Sequence, residues 1–312
     1  MEVAPYMRDV CDAISGDSFA VHRCPNCGNA VTVPQPADID SYYGTRYYGG
    51  RHSFTARFCI WRRRRMVKRA TPAQAGRLLD FGCGDGGFLD AMRTAGWKTT
   101  GVERDGAPAR AEQPVLGSIE EAADCGPYQC VTLWHVLEHV PDPARHAAAL
   151  RPMISPEGVL MIAVPDFGGL QARLFGRHWL HLDVPRHLHH FTRRGLIELL
   201  RSAGFETVRV TNLELEYDWF GWIQSALNTM METPNVLFDS LTGKPRRAGR
   251  LQVAAAFAMG ALLALPALAF TLASSAIGRG GTLVVAARPA ATAAELVRQA
   301  APAHGPMVLG QN

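Results

Sequence analysis

The chain has 312 residues, of which 47% are hydrophobic and 19% are charged. This length buries a large core, and the composition is that of a folded globular protein. A net charge of +4 is too small over this length to indicate a nucleic-acid partner. The seven cysteines are scattered, and residues 1–8 hold no apolar run of signal-peptide length. We therefore expect a cytoplasmic protein with reduced thiols.

The segment 1–50 shows little periodicity and contains a Cys-Pro-Asn-Cys-Gly turn, which has the spacing of a zinc knuckle. A tetrahedral structural zinc needs four ligands. Two interpretations stay open for this segment. It is either a zinc site that uses Cys11, Cys24 and Cys27, or a degenerate zinc ribbon that holds no metal.

Between residues 51 and 216, short apolar runs alternate with helical patterns, which is typical of a parallel sheet with crossover helices. Thr192 is suited to cap a helix and Gly204 to end it. The basic run at 62–65 is predicted to lie on a helix before the first strand of this region. Its arginines would either face solvent or belong to a membrane-binding surface. Strands are predicted at 78–81, 99–102, 131–133, 159–164, 207–215 and 282–287, and helices at 88–95, 143–150 and 194–203.

A glycine-rich turn follows the strand that carries Asp80. Gly82, Gly84 and Gly86 permit positive φ and let a ligand approach the backbone. Glu103 lies about twenty residues further on, where a carboxylate can accept hydrogen bonds from both hydroxyls of a ribose. The glycines and this acid alone also fit a nicotinamide dehydrogenase, but Asp80 would repel the pyrophosphate of such a cofactor. The pattern therefore predicts an adenosyl cofactor without pyrophosphate.

Two stretches resemble known motifs. Residues 78–86 resemble the first motif of class I S-adenosylmethionine (SAM)-dependent methyltransferases, and residues 128–143 resemble the fourth motif of their small-molecule members, including ubiquinone-biosynthesis O-methyltransferases. The resemblance covers about residues 20–216 and the last strand. It implies an α/β, Rossmann-like fold with a seven-stranded sheet and SAM as the cofactor. Gln129 replaces an acid near the start of the fourth motif, which puts a local contact in question rather than SAM binding.

The resemblance also implies roles for individual residues at the cofactor. Asp80 is expected near the amino-acid end of SAM, and Glu103 is expected at the ribose. His135 would lie beside the cofactor where its strand ends, and Ser118 and Ile119 would touch the adenine. Gly82, Gly84 and Gly86 would form the turn around which the cofactor lies.

Histidines are the candidates for catalysis. In similar enzymes His139 faces the site, where an imidazole could take a proton from a hydroxyl or amine; the alternative is that it only fixes the loop. His187 belongs to the segment 183–192, whose Asp-x-Pro-x-His-x-x-x-Phe-Thr pattern resembles a segment at the lip of the acceptor site. The histidine group of His181, His187, His189 and His190, with Asp183, could also bind a metal, although a role in the substrate loop is favoured.

The segment 217–280 interrupts the α/β pattern. Residues 253–277 carry no charge and are long enough to cross a bilayer. A single crossing would separate two strands of one sheet, so we expect a re-entrant hairpin broken near Pro266, an interfacial pair of helices or a buried cap. The aromatic residues at 219, 220 and 222 and the arginines at 246, 247 and 250 suit a membrane surface.

We therefore predict a SAM-dependent methyltransferase that acts on a small-molecule or lipid-linked acceptor, at oxygen in preference to nitrogen or carbon. It would be cytoplasmic, peripheral to the inner face of the membrane. The alternative is a catalytically inactive SAM-binding or membrane-associated scaffold protein. The predicted units are a degenerate zinc-ribbon segment (1–50), a SAM-binding core (51–216), an apolar insertion (217–280), a last core strand (281–289) and a disordered tail (290–312).

Overall fold

The computed structural model describes residues 2–43, 53–72, 75–103, 115–244 and 248–291. Its strands are β1 (Ala4–Cys11), β2 (Ser18–Arg23), β3 (Ala30–Val33), β4 (Arg77–Phe81), β5 (Lys98–Val102), β6 (Val115–Leu116), β7 (Tyr128–Trp134), β8 (Ile154–Pro165), β9 (His189–His190), β10 (Phe205–Thr211) and β11 (Thr282–Pro289). Its α-helices are α1 (Ser53–Ala70), α2 (Gly87–Thr94), α3 (Ile119–Ala123), α4 (Pro143–Leu150), α5 (Leu170–Phe175), α6 (Arg193–Ser202), α7 (Leu215–Met230), α8 (Val236–Leu241) and α9 (Arg250–Ala276). The predicted tail from residue 292 onward lies outside the described part.

The centre of the molecule is a seven-stranded sheet in the order β10-β11-β8-β7-β4-β5-β6. Strands β4 to β8 pair in parallel, whereas β11 runs antiparallel to both of its neighbours, β8 and β10. This confirms the predicted Rossmann-like α/β fold. Because parallel strands end at the same edge of a sheet, the loops after β4, β5, β6 and β7 all meet on one side, where α/β proteins bind their ligands.

Two apolar clusters cover the two faces of this sheet. On one face, Val67 of α1 and Leu89 of α2 pack with Leu78 and Met161. On the other, side chains of α4 and α6, such as Leu150 and Leu196, pack on the opposite sides of the same strands. Burial on both faces explains the nearly continuous apolar runs from which the strands were predicted.

Local capping fixes the helices that lead away from the site. The Thr192 hydroxyl accepts a hydrogen bond from the backbone N–H of Gly195, and so caps α6 as predicted. Gly204, with φ of +83°, follows the end of that helix as predicted.

Gln129 accepts a hydrogen bond from the Arg77 N–H at 2.7 Å. This contact lies at the start of β7, far from the edge of the sheet where the parallel strands end. The replacement of an acid by Gln129 therefore affects a local contact.

The N-terminal segment forms a second, four-stranded sheet in the order β1-β2-β3-β9. Its pairing corrects the predicted zinc ligands. Cys11 lies opposite Ser18, whereas Cys24 follows Arg23, which lies opposite Ala4 at the other end of the hairpin. At about 3.3 Å per residue, roughly 20 Å separates Cys11 from the Cys24–Cys27 turn. The three thiols are therefore not brought together.

The insertion is a stack of three helices between β10 and β11. Helix α9 runs unbroken through Pro266, which corrects the predicted hairpin, and it packs on α7 and α8. In the described residues it is the one helix that is long and apolar enough to cross a membrane, with a mean hydropathy of 2.2. Because β10 and β11 pair directly with each other, both ends of the insertion return to the same sheet.

Candidate active site

The glycine turn joins β4 to α2 at the ligand edge. Gly82, Gly84 and Gly86 all have positive φ, of +74°, +58° and +79°, a conformation that favours glycine. The Gly82 N–H donates to the Val102 carbonyl at 2.7 Å, which ties the turn to the end of β5. A Cβ on Gly82 would collide with Val136, after β7. The turn thus depends on glycine for both its conformation and its packing.

Two carboxylates flank this turn. Asp80 is buried in β4 and accepts a hydrogen bond from the Thr132 hydroxyl at 2.6 Å. Glu103 directly follows β5, and its carboxylate accepts a hydrogen bond from the Gly84 N–H. The two acids and the three glycines, which are separated along the chain, therefore meet at one place.

Ser118 and Ile119 begin α3, directly after β6. The Ser118 hydroxyl accepts the Glu121 N–H at 3.2 Å. Strand β6 pairs with β5, and the Glu103 N–H donates to the Leu116 carbonyl at 3.0 Å. The two residues therefore lie at the same edge, next to Glu103. The residues between 103 and 115 lie outside the described part.

His135 lies at the end of β7 with φ of +56°. Its Nε2 is 2.6 Å from a carboxylate oxygen of Glu214, and its ring stacks on Tyr217 with 4.2 Å between ring centroids. Burial opposes a charge on this ring, but Glu214 and Glu138 raise its pKa well above the ordinary value. Burial also opposes a charge on Glu214, yet its pKa is lowered by His135 and by the arginines of α1. The pair is therefore an ion pair at neutral pH.

Two arginines of α1 reach this ion pair. Arg62 donates hydrogen bonds to Glu214 and Glu216. Arg63 is half-buried, its guanidinium lies over the Trp134 ring at 5.0 Å from the ring centroid, and it interacts electrostatically with Asp80. The Arg63 Nε has no hydrogen-bond partner among the described residues. The prediction of a solvated or membrane-facing run at 62–65 is therefore wrong for these two residues.

His139 lies on a short 3-10 helix after β7, and its Nδ1 faces two oxygen atoms. The Arg186 carbonyl is at 2.9 Å and the Tyr43 hydroxyl is at 2.8 Å. Because a carbonyl can only accept, Nδ1 carries the proton and Nε2 keeps its lone pair. Burial, with the nearby His187, lowers the pKa of His139 to about 4. The ring is therefore a neutral base at pH 7.

His187 lies beside His139, with 4.6 Å between ring centroids. Its Nδ1 faces the His181 carbonyl at 2.8 Å, so its Nε2 also keeps a lone pair. Glu138 is buried, and its carboxylate lies 3.5 Å from the His135 Nδ1. The ligand atoms of Glu138, His139 and His187 lie within 4.8 Å of one another. This group can act in proton transfer or hold a divalent cation.

The remaining histidines of this segment have other contacts. His181 contacts the Tyr217 carbonyl at 3.3 Å, and burial lowers its pKa to about 4. His189 and His190 form β9, and the His190 Nε2 contacts the Thr32 hydroxyl at 3.0 Å. They support the N-terminal sheet, so the structure divides the predicted histidine group in two.

The N-terminal sheet is fastened to the site through a buried arginine. Arg186 donates to Asp12 at 2.7 Å and to Asp183 at 2.6 Å. Tyr43, which directly precedes undescribed residues, contacts His139. Sequence reasoning gave no role to Tyr43, Glu214 or Tyr217. The sequence feature that could have pointed to Glu214 and Tyr217 is the charged stretch Glu214–Asp218, which lies just before an apolar segment.

These residues fit SAM. Three glycines in the left-handed region expose the backbone beside Glu103, as an adenosine ribose requires. At the other end of the turn, Asp80 offers a negative charge, and the unpartnered Nε of Arg63 offers a positive one. The opposite charges match the ammonium and carboxylate groups of the methionine part.

The chain is similar to known proteins. The model of the methyltransferase domain family matches residues 52–210, just over half of the chain. The ubiquinone biosynthesis O-methyltransferase of Aromatoleum aromaticum is 30% identical over 156 residues, covering 44% of this chain and 67% of that protein. Its counterpart in Thiobacillus denitrificans is 27% identical over 170 residues, covering 48% and 73%. A solved SAM-dependent methyltransferase from Archaeoglobus fulgidus has a TM-score of 0.45 at 15% identity, covering 80% of this chain and 96% of that one.

The fold and the glycine turn define a SAM-binding α/β enzyme. The chain belongs to the methyltransferase domain family. It is a SAM-dependent methyltransferase, as the sequence predicted.

Proposed function

We propose that this enzyme methylates an oxygen atom of a small, apolar acceptor. The observation that carries the proposal is the neutral His139, whose Nδ1 faces the Arg186 carbonyl and whose Nε2 keeps its lone pair. Further support comes from the names of the relatives, which are O-methyltransferases of ubiquinone biosynthesis. An oxygen acceptor gains most from such a base, because a hydroxyl becomes a better nucleophile as it loses its proton.

We assign the cofactor contacts as follows. Glu103 would hold the ribose hydroxyls, and Ser118 and Ile119 would pack on the adenine. Asp80 would face the ammonium, and Arg63 would face the carboxylate. When bound, SAM supplies an electrophilic methyl group on its sulfonium. The glycine turn would serve to align that group with the acceptor, and alignment accounts for much of the barrier lowering in such transfers.

His139 would take the acceptor proton on Nε2. The buried carboxylate of Glu138 would then offset the positive charge of the protonated ring, which lies next to His187. His135 would have a structural part, because its ring is held by Glu214 and Tyr217. It would lie beside the cofactor through its backbone and keep the insertion against the site.

The insertion suits an apolar or lipid-linked acceptor. Its first helix, α7, brings Tyr217 onto His135 and so forms a wall of the site. Its last helix, α9, lies outside α7 and is largely apolar. An acceptor that leaves a membrane would therefore have a short apolar path to the site. We propose accordingly that the enzyme is cytoplasmic and peripheral to the inner face of the membrane.

Turnover separates this proposal from an inactive SAM-binding scaffold. SAM affinity is measured by calorimetry, and S-adenosylhomocysteine is measured after incubation with a simple catechol and with a membrane lipid extract. The proposal expects binding and turnover, and a loss of turnover without loss of binding in His139→Gln. Binding without turnover on any acceptor would favour the scaffold. A parallel reaction with EDTA shows whether the group at Glu138 works as a base alone or requires a divalent cation.

A further inference from the structure

We propose that the outer face of α9 is a docking surface that lies flat in the headgroup region of an anionic phospholipid bilayer. The inference rests on the membrane association proposed above, and it goes further by naming the surface, the lipid charge and the depth of insertion. It does not depend on which acceptor the enzyme methylates.

The first observation is the length and exposure of the apolar face of α9. Helix α9 has 27 residues, which corresponds to about 40 Å. Its buried stripe consists of small residues, namely Ala256, Gly260, Ala267, Thr271 and Ser274. Several large side chains lie on the opposite side, and Leu251, Leu262 and Leu265 are 88%, 78% and 78% exposed. No charged residue occurs between Arg250 and Arg279. A continuous apolar surface of this length normally marks an interaction site.

The second observation fixes the orientation. The buried stripe extends from Ala256 to Ser274, so α9 is attached to the domain along most of its length. Gly260 packs so closely on Leu237 of α8 that a Cβ would contact it at 2.7 Å. A helix attached in this way cannot cross the bilayer without leaving its partners. Only its outer half is free to enter lipid, which limits insertion to a shallow depth.

The third observation identifies the lipid. Among the described residues from Val236 to Thr282, the basic ones are Lys244, Arg250 and Arg279, and the one acid is Asp239, which is buried. Arg250 and Arg279 flank the two ends of the apolar face. Each basic residue near an anionic bilayer strengthens binding by about fivefold. A symmetric dimer through the same face would instead bring like charges together, so charge favours a bilayer over a second copy.

The test is sedimentation of the full chain with vesicles of phosphatidylcholine alone or with one quarter phosphatidylglycerol. Wild type is expected to bind the anionic vesicles more strongly, and Arg250→Gln to reduce that binding about fivefold. Leu262→Glu with Leu265→Glu is expected to weaken binding at least tenfold. The matched control is Val208→Glu, an apolar side chain on β10 that is 55% exposed, which should change binding less than twofold.

Three results would overturn the proposal. One is that wild type fails to bind either vesicle. Another is that Val208→Glu weakens binding as much as the α9 variant does. The third is a dimer, seen by light scattering, that the α9 variant dissociates while vesicles have no effect. SAM binding and turnover on a water-soluble catechol, measured on the same variants, keep a failure of the docking surface distinct from a failure of the enzyme.

Depth is tested with Trp219, whose Nε1 donates to the Ala264 carbonyl near the middle of α9. Its fluorescence is obtained as the difference between wild type and Trp219→Phe. Lipids brominated near the headgroup should quench it more than lipids brominated near the chain ends. Stronger quenching by the deep label would contradict shallow docking.

Discussion

The imidazole of His135 and the carboxylate of Glu214 are 2.6 Å apart, and they join the end of the central strand β7 to the entrance of the apolar insertion. Arg62 of α1 donates to the same carboxylate. A carboxylate that is 0% exposed thus holds two cations from different parts of the chain. This ion pair links the insertion to the edge of the sheet where the glycine turn and Glu103 lie.

Glu214→Gln is expected to destabilise the protein by about 3–5 kcal/mol, because it leaves two buried cations without a counter-charge. The measurement is urea unfolding of the full chain at pH 7. The control is Glu198→Gln, which removes an exposed partner of Arg194 and should cost less than about 1 kcal/mol. Equal losses in the two variants would contradict the assigned role of Glu214.

The same ion pair gives a pH dependence. The pKa of His135 is raised on folding, so its contribution is complete below the unfolded value near 6.5 and declines as the pH rises above it. His135→Gln should therefore destabilise the protein most at pH 6, and by less at alkaline pH. If the difference in free energy of unfolding between wild type and His135→Gln became larger with rising pH, this would refute a charged His135.

Glu103→Ala is expected to weaken SAM binding by about tenfold or more, because a charged hydrogen-bond acceptor is lost. Calorimetric titration with SAM measures the change. Glu157→Ala removes an exposed carboxylate elsewhere on the sheet and should leave the affinity within twofold. An unchanged affinity in Glu103→Ala would remove the ribose assignment.

His139→Gln is expected to lower kcat by about 10²–10⁴ while SAM affinity stays the same. Since the pKa of His139 is lowered to about 4, protonation of this ring should not reduce kcat/KM until the pH approaches 4. A pH–rate profile of the wild type with a catechol acceptor tests this point. An acid limb near 6.5 that disappears in His139→Gln would show that the ring titrates normally.

Tyr43→Phe tests whether the N-terminal segment takes part in the reaction. The Tyr43 hydroxyl contacts the His139 Nδ1, so its loss should lower kcat severalfold and change the pH profile without changing SAM affinity. Tyr42→Phe is the control, because that hydroxyl donates to Asp17 instead. A kcat for Tyr43→Phe equal to that of wild type would show that the contact has no catalytic effect.

Much of the cofactor edge could be predicted from sequence because it is built from local patterns. Asp80 lies near the end of β4, and the glycines and Glu103 follow β4 and β5. A parallel sheet necessarily brings such positions together. The caps at Thr192 and Gly204 were also predictable, because capping depends on neighbouring residues.

Contacts between distant segments could not be predicted in this way. Arg63 is on a helix whose charged pattern suggested solvent, and only the docking of α1 places its guanidinium over Trp134. The distance of Cys11 from the other two cysteines depends on the register of the β1–β2 hairpin. The spacing of cysteines along the sequence does not reveal that register. Pro266 suggested a break, yet the packing of α9 along α7 keeps the helix continuous.

The most direct test of the account follows the methyl group itself. The wild-type enzyme is incubated with SAM labelled with ¹³C at the methyl group, in the presence of the catechol or the lipid extract, and the products are identified by mass spectrometry. The account predicts a labelled methyl ether whose formation is lost in His139→Gln. SAM binding of normal affinity with no labelled product, or label on nitrogen or carbon, would contradict it.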